Sequence, residues 1–240
     1  MDTQKIWEQA DWVSHSKNII DNLDKFPLDS RLILILRHSH RNEPKPLENV
    51  NKLRLTPQGH AIAKKFGELL PKNRPIRIFH SIIWRCEETA EDIHEGFQNI
   101  GGESELKGVF EPLFDIGIQK KTFTEKFKGE HFRKVLFRWS AGFYLPEDWT
   151  PFTTYCQQAA NIIWNQHNNP WSNNIDIYVT HDWHVMSLRY GWFGLPPDEY
   201  WVKFLGGFVF TFQNNHILLL DHKGLRPVEI PHWWELKTKK

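Results

Sequence analysis

Residues 31–41, RLILILRHSHR, join an apolar run to a cluster of basic side chains. Residues 31–36, RLILIL, are typical of a strand that is buried on both faces of a parallel sheet. The run ends abruptly, so such a strand would deliver Arg37, His38 and Arg41 at its C-terminal edge. Open α/β sheets bind their ligands at that edge. The stretch therefore predicts an α/β fold with a polar site directly after this strand.

Two later segments repeat the pattern. Residues 76–81, IRIFHS, and 175–180, IDIYVT, also read as buried strands, and the latter is followed by His181 and Asp182. Spacing and capping signals predict helices beginning at Pro57, around Cys86–Phe97, near 152–167 and over 183–193. Two β-rich runs, 207–213 and 216–221, flank Asn214-Asn215 and suggest a hairpin. Strands alternating with helices indicate a three-layer α/β/α sandwich with a mostly parallel central sheet.

The length of 240 residues fits one large domain or two small ones. We see no internal repeat and no low-complexity linker, so we predict a single domain over residues 1–240. Within it we expect an N-terminal helical arm at 1–30 and a short cap insertion at 101–151, where no hydrophobic period is sustained. The aromatic residues of this cap fit either ordinary packing or the wall of a substrate pocket: Trp139, Phe143, Tyr144 and Trp149.

Composition excludes several classes of protein. The 30 basic and 29 acidic residues give a formal net charge of +1, which argues against the diffuse basic surface of a nucleic-acid-binding protein. Two cysteines cannot build a disulfide framework or a zinc knuckle. The N-terminal sequence does not resemble a secretory signal, and the apolar runs are shorter than the roughly 20 residues that span a bilayer. We therefore expect a cytoplasmic protein without nucleic-acid or membrane partners.

Three predicted strands end near charged side chains. The first is followed by Arg37, His38 and Arg41, the second leads to Arg85 in the first turn of a helix, and the third is followed by His181. Guanidinium groups bind phosphate oxygens through charge-assisted, often bidentate hydrogen bonds. A neutral histidine among them can attack phosphorus, because the nearby cations depress its pKa and stabilise the developing charge. The pattern predicts a phosphate site at the edge of the sheet.

The chain resembles the histidine phosphatase superfamily. The resemblance is carried by four motifs, in the family's order and spacing: RHSHR at 37–41, LTPQG at 55–59, SIIWRCEETA at 81–90 and THD at 180–182. It implies a phosphoglycerate mutase-like fold and a phosphatase that works through a phosphohistidine, without a metal ion or another cofactor, on a small phosphomonoester. Arg41 and Asp182, placed as they are, look closer to the acid-phosphatase branch.

The resemblance also implies a role for each residue of the cluster. His38 corresponds to the nucleophile that becomes phosphorylated. The group that holds the phosphate corresponds to Arg37, Arg41, Arg85 and His181. Asp182 corresponds to the acid that protonates the leaving oxygen. In the mutase branch the acid follows the second motif, where this chain has Glu111 and Asp115, so these are the alternatives to Asp182.

Two features leave other functions open. The family usually has glycine after the first histidine, and Ser39 stands there instead. This departure allows a phospholigand-binding or regulatory protein that has lost turnover. His181, Asp182 and His184 could alternatively be ligands of a metal-dependent phosphohydrolase, although that class expects helical surroundings.

Overall fold

The central sheet has seven strands in the computed structural model, which describes residues 2–44, 50–119, 125, 130–165, 173–197 and 201–234. The strands are β1 Leu32–Arg37, β2 Ile76–His80, β3 Ser104–Val109, β4 Ile175–Thr180, β5 Gly207–Phe212, β6 Ile217–Asp221 and β7 Gly224–Val228. Their order in the sheet is β3-β2-β4-β1-β5-β6-β7. The first four strands pair in parallel and the last three join antiparallel, so the sheet is mixed.

Seven α-helices cover the two faces of the sheet in the described part of the chain. They are α1 Thr3–Gln9, α2 Ser14–Ile20, α3 Pro57–Leu69, α4 Trp84–Asn99, α5 Phe132–Ser140, α6 Phe152–Asn165 and α7 Asp182–Phe193. Side chains of α1–α4 share one buried cluster with Leu32, Leu34 and Leu36 of β1. Those of α5–α7 share the other cluster with Ile33 and Ile35. Because alternate residues of β1 enter opposite cores, all of them are buried, and the predicted three-layer α/β/α sandwich is confirmed.

The N-terminal arm consists of two short helices rather than one. The chain is extended at Ala10 (φ −73°, ψ 124°), and a 3₁₀ turn at Asp11–Val13 leads into α2. Helix α1 packs against α3, whereas α2 packs against β5 and β6. The arm therefore lies along the sheet beside the strand that neighbours β1.

The region predicted as a cap insertion is partly built into the sheet and the core. Residues 104–109 form the edge strand β3, which pairs in parallel with β2. Most side chains of β3 are exposed, so its sequence has no apolar run that would predict a strand. Trp139 and Trp149 stack with ring centroids 4.4 Å apart, and each is 1 % exposed, so these two aromatics pack in the core.

One further strand, β7, was absent from the sequence-based prediction. Its residues Gly224–Val228 include Pro227, which cannot donate a ladder hydrogen bond. The strand lies at the edge of the sheet, where proline is tolerated. Within the described residues, no helix has the length and apolar character needed to cross a membrane.

Candidate active site

His38 is the first residue after β1, at the carboxyl edge of the sheet. Its backbone N–H donates to the carbonyl of Thr180 at 2.8 Å, so the end of β4 holds it in place. Its ring Nδ1 lies 2.8 Å from the carbonyl of Ser39, which fixes Nδ1 as the protonated nitrogen. The lone pair of Nε2 is therefore directed away from the backbone, and it accepts a hydrogen bond from Arg85 Nε at 2.9 Å.

We call Arg37, His38, Arg41, Arg85 and His181 the cluster. Arg85 contacts both of its histidines. It lies in the first turn of α4, and its Nη2 is 3.2 Å from Nδ1 of His181. The other ring nitrogen of His181 is 3.1 Å from the hydroxyl of Ser81, and the rings of His38 and His181 are 5.5 Å apart. The predicted meeting of β1, β2 and β4 at one edge thus brings His38, Arg85 and His181 into contact.

Both histidines are neutral in this environment. Burial is the largest cause that lowers the pKa of His38 well below its usual range, and His181, Arg37 and Arg85 lower it further. Burial and Arg85 likewise lower the pKa of His181 well below the usual range. A neutral imidazole is the form that can attack an electrophile, and its Nε2 lone pair becomes available when the Arg85 Nε–H turns to another acceptor, such as a phosphate oxygen.

Arg37 is the last residue of β1 and directly precedes His38. Its Nη1 donates to the carbonyl of Val202 at 2.7 Å, and its Nη2 is 3.3 Å from a carboxylate oxygen of Asp182. The guanidinium stacks over the ring of Phe204, with 4.1 Å from Cζ to the ring centroid. These three contacts hold the guanidinium in one orientation.

Two buried donors of the cluster have no hydrogen-bond partner within the described residues. They are Nε of Arg37 and Nε of Arg41. The Nη1 of Arg41 donates to the carbonyl of Asn42 at 2.7 Å, and the same nitrogen is 3.7 Å from Glu43. Buried N–H groups without acceptors are costly, so these atoms would gain from a bound anion.

The side chain of Ser39 makes its hydrogen bond away from the ring of His38. The Ser39 hydroxyl donates to the carbonyl of Gly59 at 2.7 Å, and the backbone N–H donates to Thr89 Oγ1 at 2.9 Å. The side chain thus points into α3 and not at Nε2 of His38. A Cβ on Gly59 would lie 2.2 Å from the carbonyl oxygen of His40, so the glycine permits this close approach.

Asp182 is a partly buried carboxylate that contacts Arg37, at 3.3 Å from Nη2. One oxygen accepts from the backbone N–H of Trp183 at 2.9 Å, and the other accepts from the indole N–H of Trp201 at 3.0 Å. Burial raises the pKa of Asp182, but Arg37 and these two donors outweigh burial and lower it below its usual value. Asp182 is therefore ionised in this environment.

The two alternative acids lie at a separate cavity. Glu111 and Asp115 are exposed and line a space of about 320 Å³ between the 111–117 segment and α6, together with Gln158 and other residues. The segment begins at the same sheet edge, because the backbone N–H of Phe110 donates to the carbonyl of His80 at 2.9 Å. Neither Glu111 nor Asp115 is hydrogen-bonded or ion-paired to the cluster.

His184 lies one turn into α7, with its ring 5.7 Å from that of His181. Burial lowers the pKa of His184 to about 4, against the opposing effects of Asp182, the Phe114 backbone and Asp115. Among the described residues, no group of three or more His, Cys, Asp or Glu side chains is arranged to hold a metal ion. His181, Asp182 and His184 thus do not form the ligand set that the metal-dependent alternative requires.

The turn before β5 contributes contacts that the sequence did not reveal. Leu205 N–H donates to the carbonyl of His38 at 3.2 Å, and the Gly206 carbonyl accepts from Arg37 N–H at 2.8 Å. Leu205 is fully buried with φ at +51°, an unusual conformation for a residue other than glycine. From the arm, the Ser16 hydroxyl donates to the Leu205 carbonyl at 2.9 Å. This turn and the arm therefore hold the backbone of the cluster.

Comparison with known proteins agrees with this fold. One similar structure is a phosphoserine phosphatase from Entamoeba histolytica in complex with 3-phosphoglyceric acid: TM-score 0.53, 18% identity, covering 85% of this chain and 100% of that chain. A histidine-to-alanine mutant of a phosphoserine phosphatase from the same organism, in complex with phosphoserine, gives a TM-score of 0.52 at 17% identity over 79% of this chain and 94% of that chain. A structure described as mycobacterial hydrolase 2 gives 0.50 at 16% identity over 83% and 89%.

The match by sequence is more specific. No curated protein matches this chain. The model of the histidine phosphatase superfamily, branch 1, matches residues 33–207, well over half of the chain. The match is to branch 1, and it lends no support to the leaning toward the acid-phosphatase branch. The chain belongs to the histidine phosphatase superfamily.

Proposed function

We propose that this chain is a metal-independent phosphatase that hydrolyses small phosphomonoesters through a phosphohistidine on His38. Membership of the superfamily supports phosphatase activity in general. The observation that carries the mechanism is the contact of 2.9 Å between Nε2 of His38 and Nε of Arg85, beside His181. This contact supports the proposal because it sets a neutral imidazole beside N–H donors suited to a phosphoryl group.

In the first step, Nε2 of His38 donates its lone pair to phosphorus and a P–N bond forms. The P–O bond to the leaving group breaks, and the leaving oxygen takes the bonding pair and a proton. Arg37, Arg41, Arg85 and His181 bind the equatorial oxygens on which charge develops. The unpartnered Nε atoms of Arg37 and Arg41 would find acceptors at this point.

Asp182 is the proton donor in this proposal because it directly follows His181 and one of its oxygens lies 3.3 Å from Nη2 of Arg37. Arg37 is also the largest cause that lowers the pKa of Asp182 and keeps the carboxylate ionised. A bound phosphate dianion would compete for Arg37 and add negative charge beside Asp182, and both effects raise the pKa of a carboxyl group. Asp182 would then bind the proton that it passes to the leaving oxygen.

In the second step, water attacks phosphorus and the P–N bond breaks. The electron pair of that bond returns to Nε2 of His38, and inorganic phosphate leaves. The carboxylate of Asp182, now without its proton, accepts one from the attacking water. As phosphate leaves, Arg37 again lowers the pKa of Asp182, and the carboxyl group releases this proton to water, which returns the enzyme to its ionised starting state.

The test is a screen of diverse phosphomonoesters with and without a chelator. We expect chelator-resistant hydrolysis that His38→Ala abolishes, while His216→Ala, a histidine of the β5–β6 hairpin, retains it. Brief incubation with labelled substrate should trap acid-labile phosphate on the wild type and none on His38→Ala. Full activity of His38→Ala would refute the phosphohistidine. Tight phosphate binding with no turnover would support the regulatory alternative, and loss of activity with the chelator would support the metal-dependent one.

Comparing two substrates tests the proton donor. Asp182→Asn should slow hydrolysis of glycerol phosphate, a poor leaving group, by about 10²- to 10⁴-fold. Hydrolysis of p-nitrophenyl phosphate should change far less, because nitrophenolate leaves without protonation. Asp115→Asn and Glu111→Gln are the matched controls. If one of these shows the selective loss and Asp182→Asn does not, the donor lies in the 111–115 segment.

A further inference from the structure

Three partly exposed rings pack together next to the candidate site, and one of them contacts His38. The ring of Phe204 is 5.7 Å from that of His38 and 5.1 Å from that of His40. The indole of Trp12 is 5.0 Å from the ring of His40 and 6.3 Å from that of Phe204. We call Trp12, His40 and Phe204 the aromatic wall.

The aromatic wall contacts the cluster through Phe204 and Arg37. Phe204 lies under the guanidinium of Arg37, at 4.1 Å, so one face of its ring is already part of the cluster. His40 is oriented by the hydroxyl of Thr56, 2.9 Å from its Nδ1. Burial is the largest cause that lowers the pKa of His40, which keeps this ring uncharged at neutral pH. The wall is thus an apolar surface that begins at the nucleophile.

The N-terminal arm fixes Trp12 in this wall. The Lys203 ammonium lies 2.6 Å from a carboxylate oxygen of Asp11, the residue before Trp12. The backbone N–H of Lys203 donates to Nδ1 of His15 at 3.2 Å, and Ser16 binds the carbonyl of Leu205. Contacts on both sides of Trp12 therefore attach the arm to the turn that carries Phe204.

We propose that the aromatic wall binds the leaving group of the substrate and selects phosphomonoesters that carry a planar aromatic ring. Pockets for small molecules are lined mainly by apolar and aromatic side chains with a few placed polar groups, here the phosphate cluster. A planar ring can stack or meet the wall edge to face, which a saturated ring of similar size cannot do as well. This inference rests on the proposed phosphatase function and adds the class of leaving group.

Benzyl phosphate and cyclohexylmethyl phosphate provide the test. Both release a primary alcohol and are similar in size, so they differ chiefly in the planarity of the ring. We expect the wild type to favour benzyl phosphate in kcat/KM by about fivefold, the ratio that corresponds to roughly 1 kcal/mol for an aromatic pair. Trp12→Leu should bring the ratio close to one mainly by lowering kcat/KM for benzyl phosphate, and Trp12→Phe should restore most of the preference.

Phe143→Leu is the matched control, since Phe143 is an aromatic side chain outside the wall and 72 % exposed. It should leave the ratio at the wild-type value. A wild-type ratio near one, or an equal loss on both esters in Trp12→Leu, would overturn the inference and leave the phosphatase proposal standing. Hydrolysis of neither ester, nor of any other phosphomonoester, would instead refute the phosphatase proposal itself.

Discussion

The candidate site has two halves that are built in different ways. In the sheet half, His38, Arg85 and His181 follow β1, β2 and β4, and these parallel strands all end at one edge. In the loop half, the 202–206 turn meets Arg37 and His38 and is itself held by the arm. The sheet half follows from regular secondary structure, whereas the loop half depends on contacts between distant parts of the chain.

The difference appears in the hydrogen bonds themselves. Ser16 and Leu205 are 189 residues apart in sequence, and His15 and Lys203 are 188 apart. No local period or motif links such segments. A site residue that directly follows a strand can be recognised from sequence. A residue that is held by a hydrogen bond to a segment almost 190 residues away cannot.

A substitution in the sheet half should lower kcat/KM the most. Arg85→Ala removes the donor that contacts both His38 and His181, and we expect kcat/KM on p-nitrophenyl phosphate to fall by about 10²- to 10³-fold, as for a lost donor to a transition-state oxygen. Arg85→Lys should recover only part of this, because a lysine offers no planar fork. Arg54→Ala is the control, since Arg54 stacks on Trp84 near the surface. A loss of less than tenfold would mean that Arg85 does not bind the phosphoryl group.

A substitution that removes a contact of the loop half should weaken phosphate binding by a smaller factor. Ser16→Ala leaves the buried carbonyl of Leu205 without its donor, at a cost of about 1–3 kcal/mol. We expect the turn to shift beneath Arg37, so that inorganic phosphate inhibits about tenfold more weakly. Ser30→Ala, at the end of the same arm, removes a hydroxyl that donates to the carbonyl of Pro27 at 2.6 Å, and it should change this little. Unaltered phosphate inhibition in Ser16→Ala would show that the arm stabilises the fold without positioning the site.

The sequence predicted the sheet half in detail. Strand β4 occupies the predicted residues 175–180, β1 is displaced by one residue, and Arg85 lies in the first turn of its helix as expected. Continuous apolar runs and a capping signal identify such elements because burial on both faces demands them. The mixed character of the sheet followed from the β5–β6 hairpin.

The sequence did not reveal the edges of the sheet or the aromatic neighbours of the site. Strands β3 and β7 carry mainly polar or partly exposed residues, so their pairing is decided by the strand beside them rather than by their own pattern. The aromatics of the 101–151 region seemed candidates for a substrate wall, yet Trp139 and Trp149 are buried. The ring beside His38 is instead Phe204 of the 202–206 turn, and Trp12 of the arm contacts Phe204 in turn.

Acid should lower the free energy of unfolding, because His184 is buried in the folded chain. Burial lowers the pKa of His184 to about 4, whereas an exposed histidine of the unfolded chain has a pKa near 6.5. Between these values the unfolded state binds more protons, so the free energy of unfolding falls as pH falls below 6.5. This one residue accounts for roughly 2 kcal/mol between pH 7 and pH 5. Urea unfolding at both pH values should show a shallower dependence in His184→Leu, and an unchanged dependence would contradict the assignment.

The smallest effect on activity is expected at the residue that departs from the family's pattern. The hydroxyl of Ser39 donates to Gly59 and points away from Nε2 of His38. Ser39→Ala should therefore leave kcat/KM within about twofold, while the lost buried hydrogen bond lowers the free energy of unfolding by about 1–2 kcal/mol. Parallel measurement of kinetics and urea unfolding separates the two effects. A large gain in activity in Ser39→Ala would mean that serine impairs the nucleophile, and a large loss would mean that its hydroxyl contacts the substrate.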